Sequence, residues 1–327
     1  MSDRIDVLSA LEGQARITAE DVLAIRPVIF ADMMISPEEA EALFSVNASA
    51  FDADQAWRDL FVEAMTDYLV RQQKPEGYID RAKADWLENR LATDGRTPND
   101  AELEMLVYVL ERAESAPADL GLFAMRQVAR HALSPDRIAG RGPALTAGEV
   151  SLIRRALYAF AGAGGAGAVS REEAEILFDL NDAARGRASD PAWTDLFAKA
   201  IGSAIMAAAG YQPPSREQAL KNEAWMTAPP ERAVDTVGRA FQALLGARAL
   251  DALDAETPEF DAYNEKLHSK QSEIFVAAPV TTEEAGWMLN RVGRDGVLDD
   301  NEKALLTFVK DNADPVPPAV LEKLKAA

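Results

Sequence analysis

Asp295, Asp299 and Glu302 stand within eight residues near the end of the chain, with Gly296 beside the first. Oxygen donors of this kind, spaced around a glycine turn, are what a hard divalent cation such as calcium or magnesium takes. A second motif is Gly162-Ala-Gly164-Gly-Ala-Gly167, which has the spacing of a dinucleotide-binding loop. That chemistry needs a strand before the glycines and a helix dipole facing the pyrophosphate. Here Ile153 to Phe160 reads as helix, and the next helix opens with Glu172 and Glu173, which would oppose phosphate. The glycines are therefore read as a turn. The chain has no cysteine, so thiol catalysis, disulfides and thiolate metal sites are excluded. Its two histidines, His131 and His268, are far apart, which argues against a histidine-rich zinc site. No P-loop, nucleophile elbow or paired-histidine zinc helix occurs.

The segment Arg291-Val-Gly-Arg-Asp-Gly-Val-Leu-Asp-Asp-Asn-Glu302 resembles the EF-hand calcium loop. Gly296 falls at the sixth position, Leu298 at the eighth, and Asp295, Asp299 and Glu302 at the fifth, ninth and twelfth. The resemblance implies a helix–loop–helix unit with Glu302 as the bidentate ligand. Positions one and three depart from the pattern, being Arg291 and Gly293. Asp94-Gly95 keeps the turn in an earlier loop, but its twelfth position is Ala101, with Glu102 displaced by one. Two more loops end in Ile35 with Glu39 and in Val169 with Glu173, the first with Met33 where the glycine belongs. The pattern is also similar to the TerB-like helical proteins of tellurite resistance. A structural reading covers the same residues: Asp299 or Ser36 caps a helix, the glutamate completes the cap, and Asp-Gly makes the turn.

These loops belong to an internally repeated chain. Ile35 to Asn47 aligns without gaps on Val169 to Asn181, and eight of those 13 pairs are identical. Trp57 to Ala64 matches Trp193 to Ala200, Ile17 to Val22 matches Leu145 to Val150, and Trp86 to Gly95 matches Trp287 to Gly296. The order is the same in both halves. We expect two related lobes, 1–138 and 139–327, each with a longer A module (14–72 and 142–210) and a shorter B module (78–114 and 279–313). The first lobe closes with a helix at 120–133, and the second carries an insertion at 211–279. Breakers from Ser134 to Pro143 mark the hinge.

The fold class that follows is all-α. Apolar residues recur every three or four positions, as in Trp57, Leu60, Phe61 and Ala64, whereas alternating β-branched runs are missing. Thr18, Ser36, Thr146, Ser170 and Thr281 each stand three residues before an acid, the signature of a capped helix start. The four repeated tryptophans read as core anchors, because a large ring at a matched place in both halves is most simply packing.

Composition narrows function by exclusion. The 327 residues carry 54 acidic and 34 basic side chains, a net charge of −20, which repels nucleic acid and anionic lipid. The segment Met1 to Asp6 lacks a secretory signal, and the most apolar stretch, Ala200 to Gly210, is about half the roughly 20 residues a membrane span needs. A cytoplasmic protein without membrane insertion is expected. The leading reading is a non-catalytic helical scaffold or regulatory module whose partner is another protein, with no catalytic residue assigned. The alternatives are a calcium or magnesium sensor using loop 291–302 and a carboxylate-based enzyme working in the cleft between lobes.

Overall fold

The computed structural model describes residues 2–14, 16–50, 52–92, 96–134, 142–160, 169–208, 280–294, 296–313 and 316–325. The glycine-rich loop, most of the hinge, Asp94-Gly95, Asp295 and the 211–279 insertion lie outside them.

Among the described residues the protein is all-α, as its periodicity predicts. The first half holds α1 (Ser2–Leu11), α2 (Ala19–Ile29), α3 (Pro37–Ser49), α4 (Gln55–Thr66), α5 (Arg81–Leu91), α6 (Asp100–Arg112) and α7 (Ala118–Ala132). The second half holds α8 (Ala147–Phe160), α9 (Arg171–Ala184), α10 (Ala192–Ala208), α11 (Thr282–Arg291), α12 (Asp300–Asn312) and α13 (Pro318–Lys325). A π-helical turn, Asp67–Gln72, continues α4. The extended structure is a two-residue parallel pairing of Arg16–Ile17 with Asp52–Ala53, plus one bridge between Tyr78 and Ser115. No described helix is long and apolar enough to cross a membrane.

Most helix starts are fixed by side chains. Thr18, Ser36, Asn99, Ser170 and Asp299 each accept a hydrogen bond from the N3 amide while the N3 acid accepts one from the cap residue's own amide. Thr146 and Glu149 make the same reciprocal pair. Thr281 accepts from the Glu284 amide. Such caps satisfy amides that the helix itself leaves unpaired and place negative charge at its positive end.

Two apolar cores result. The first gathers Trp57, Leu60, Phe61 and their neighbours from α1 to α7. The second gathers Trp193, Phe197, Phe178 and Leu305, and it also takes Leu103 and Val107 from α6 and Met125, Val128 and Ala132 from α7. Helices α6 and α7 thus serve both cores, and both pack on α8.

Candidate functional site

The four loops singled out by sequence end in buried acids that serve helix caps. Glu302 is 1% exposed. Its Oε2 accepts from the Asp299 amide at 3.0 Å and its Oε1 from the Gly293 amide at 2.8 Å. Asp299 Oδ1 accepts from the Glu302 amide at 2.8 Å, and its Oδ2 from Asn181 Nδ2 at 2.7 Å. Arg185 lies 3.8 Å from both carboxylates. Asp299 and Glu302 therefore do come together, with their oxygens engaged by amides and a guanidinium nearby. Gly296 takes φ +89°, the left-handed conformation that its sixth place in the loop calls for. Arg291 turns away from the loop and pairs with Glu175 at 3.3 Å and Asp179 at 2.6 Å on α9. Among the described residues no three His, Asp or Glu side chains are grouped so as to hold a metal ion.

The other loops follow the same plan. Glu102 is completely buried, caps α6 through Asn99, and receives both Arg96 Nη atoms at 2.8 Å. The apparent one-residue displacement of Glu102 disappears when the cap is aligned instead of the Asp-Gly turn. Asn99 then stands opposite Asp299. Glu39 accepts from the Ser36 amide at 2.7 Å and from Arg4 at 3.3 Å. Met33, in the glycine place of that loop, takes φ +62°. The backbone around it is held by Gln72, which accepts from the Ile35 amide at 2.7 Å and donates to the Met33 carbonyl at 3.1 Å. Glu173 has no arginine among the described residues. Burial pushes its carboxyl above the ordinary glutamate range, against the pull of its hydrogen bonds to Ser170.

A second set of contacts recurs between the halves. Trp57 Nε1 donates to Asn47 at 3.1 Å, and Trp193 Nε1 donates to Asn181 at 3.2 Å. Trp86 donates to Glu41, which also pairs with Arg90, and Trp287 donates to Glu175, which pairs with Arg291. Phe44 meets Phe61 edge-on at 5.2 Å, and Phe178 meets Phe197 at 5.4 Å. The tryptophans are core anchors with their indole N–H satisfied, as a buried indole requires. The sequence marked Asn47 and Asn181 only as the matched ends of the repeated segment. Their role is to tie the A-module tryptophan to the B-module cap, since Asn47 Nδ2 reaches Asn99 at 3.2 Å just as Asn181 reaches Asp299.

The junction of the halves carries a groove of about 660 Å³. Helices α4 and α8 both pack on α6, and the groove is lined by residues of all three, with His131 of α7. Asp59, Val62, Glu63 and Thr66 form its α4 wall at helical spacing, and the π-helical turn adds Asp67 and Arg71. From α6 come Asp100, Glu104 and Tyr108. Arg26 pairs with Glu63 at 2.5 Å, Arg71 with Asp67 at 2.9 Å and Arg155 with Glu104 at 2.6 Å. Burial, reinforced by Glu63, holds the Asp67 carboxyl above the usual range although Arg71 pulls it down. His131, in the last turn of α7, reaches Asp100 at 2.8 Å and the Pro98 carbonyl at 3.0 Å.

No protein-family model matches the chain, and neither the curated proteins nor the solved structures compared with it give a match.

Proposed function

We propose that the protein is a non-catalytic helical scaffold of the cytoplasm that binds another protein in the groove between α4 and α8. The observation that carries this reading is the groove itself: about 660 Å³, lined by residues of α4, α6, α7 and α8, from both halves of the chain. Grooves between packed helices commonly receive a partner's helix or extended segment. The use of Asp299, Glu302, Glu102 and Glu39 as helix caps supports a structural part for the loops.

The test is site-specific photocrosslinking in the source cells. A photoreactive phenylalanine analogue at Tyr108, in the groove, should give a discrete crosslinked partner. The same analogue at exposed Tyr78, outside the groove, should not. No crosslink at Tyr108, or identical bands from both positions, removes the proposal.

One observation favours the carboxylate-enzyme reading as the second choice. The groove places Asp67, whose carboxyl is pushed up, beside Glu63. Raised carboxyls in clefts are candidates for general acids. Both acids are ion-paired, to Arg71 and Arg26, which ranks this reading below the scaffold. A hydrolytic activity of the purified chain that is lost in Asp67→Asn would reverse the order.

A further inference from the structure

The polarity of the groove says more about its occupant than its volume does, and this step rests on the scaffold reading above. Its wall along α4 and the π-helical turn places Asp59, Glu63 and Asp67 at steps of four residues, and α8 adds Glu149. Asp100 and Glu104 line it from α6. Arg58 and Arg71 are the arginines of its lining, and Arg26 and Arg155 pair with Glu63 and Glu104 from outside it, so the six lining acids still outnumber these four arginines. Asp59 accepts from the neutral Gln55 amide at 2.8 Å and has no cationic partner among the described residues. The second, independent observation is Thr66. It lines the groove at 1% exposure, and its hydroxyl has no hydrogen-bond partner among the described residues. A buried hydroxyl left unpaired is destabilising, so this site asks for a polar group from a ligand. A threonine hydroxyl in a helix can bond back to the carbonyl four residues earlier. Thr66 does not, and it stands where the α-helix gives way to the π-helical turn.

We propose that the groove takes a helical segment of a partner protein bearing lysine or arginine along one face, with one N–H donor directed at Thr66. The carboxylates Asp59, Glu63 and Asp67 repeat every four residues, which matches the i, i+4 spacing of side chains on a facing helix. The walls run along α4 and its π-helical continuation from Gln55 to Arg71, a length of roughly 25 Å at the rise of an α-helix. That accommodates several turns of a partner. The net charge of −20 draws a basic segment toward the molecule before contact.

The probe is a short alanine-based peptide with lysine at every fourth position, fluorescently labelled, titrated into the full chain by anisotropy. A control peptide carries glutamate in place of lysine. The lysine peptide should bind, and binding should weaken as salt rises, while the glutamate peptide should not bind. The double variant Asp59→Asn/Asp67→Asn should weaken binding roughly tenfold or more, which is about 1.4 kcal/mol. Thr66→Val should weaken it by about threefold to tenfold without altering the helical circular dichroism. Should the double variant misfold, a photoreactive group on the lysine peptide decides the matter: its crosslinks must map to α4 and α6 of the unaltered chain. Equal affinity for both peptides, unchanged affinity in the folded variants, or crosslinks elsewhere overturns the proposal. Absence of peptide binding with a protein still crosslinked at Tyr108 removes the basic partner and leaves the scaffold. Peptide binding in the groove with no protein crosslinked at Tyr108 leaves the charge match and removes the scaffold.

Discussion

Glu302 and Glu173 occupy equivalent cap positions, yet they should respond in opposite ways to the same change. Both oxygens of Glu302 accept from backbone amides, those of Gly293 and Asp299, and Arg185 lies 3.8 Å away. In Glu302→Gln one of those amides would face an NH2 group, a donor against a donor. Leaving a buried amide unpaired should cost about 1–3 kcal/mol, read as a lower midpoint in urea unfolding. Glu173 holds the Ser170 amide at 2.7 Å with one oxygen, and a glutamine carbonyl can keep that bond. Its carboxyl is pushed up by burial, so the native state binds the proton more tightly than the unfolded chain does. The resulting stability is fully present below the ordinary glutamate range and is lost as pH rises through the raised value. Glu173→Gln should therefore be neutral or stabilising at pH 7, and its advantage should vanish in acid. A Glu173→Gln variant less stable than the wild type at neutral pH would refute the assignment of its carboxyl as a desolvation penalty. The loop sequence made these acids visible and their cap role legible, because Ser-x-x-Glu is a local pattern. The arginines Arg4, Arg96 and Arg185 were not legible as partners. Arg4 comes from a helix 35 residues before Glu39, and Arg185 meets Glu302 only through tertiary packing.

At the scale of elements, one close approach sets how α10 sits on α12. A Cβ placed on Gly202 would lie 2.4 Å from two ring carbons of Phe308, well inside contact distance. Gly202→Ala must push that ring or separate the helices, at a cost of about 1–3 kcal/mol that outweighs the gain of about 1 kcal/mol from alanine's helix propensity. Gly286, on α11, has open space around it, so Gly286→Ala should keep the gain and raise the melting temperature. The expected result is opposite shifts in thermal unfolding for two formally identical substitutions. Equal shifts would show that α10 and α12 are not packed as described. Helix identity here was readable from the three-to-four spacing and from caps, since both are set within a few residues. Two element-level features were not. The π-helical turn at Asp67–Gln72 follows α4 without any proline or glycine to announce it. The tie from Trp57 through Asn47 to Asn99 joins residues 52 positions apart, and a local pattern cannot report a partner at that distance.

At the scale of the molecule, the repeat in the sequence suggests two lobes that meet at a hinge, but the packing joins them more closely than a hinge requires. Met125, Val128 and Ala132 of α7, with Leu103 and Val107 of α6, are buried in the second core. Ala159 of α8 is in turn buried in the first. Arg155 of α8 reinforces the junction by pairing with both Glu104 and Glu111 of α6. Severing the chain after residue 138 would expose that apolar face of α6 and α7. Each fully exposed large aliphatic side chain forfeits about 1.5–3 kcal/mol, and a domain's whole stability is only about 5–15 kcal/mol. The fragment 1–138 should therefore be much less stable than its share of the intact protein, or should self-associate through α7. The intact chain should unfold in urea as a single transition in which tryptophan fluorescence, reporting both cores, coincides with helical circular dichroism. Lobes that were energetically separate would give two transitions and a fragment 1–138 that folds as a stable monomer. The shared helices argue for the first outcome because neither core is closed without residues from the other half. The groove between α4 and α8 depends on the same arrangement, so any partner that grips it also holds the two halves in register. Partner binding should then raise the melting temperature of the whole chain in one step.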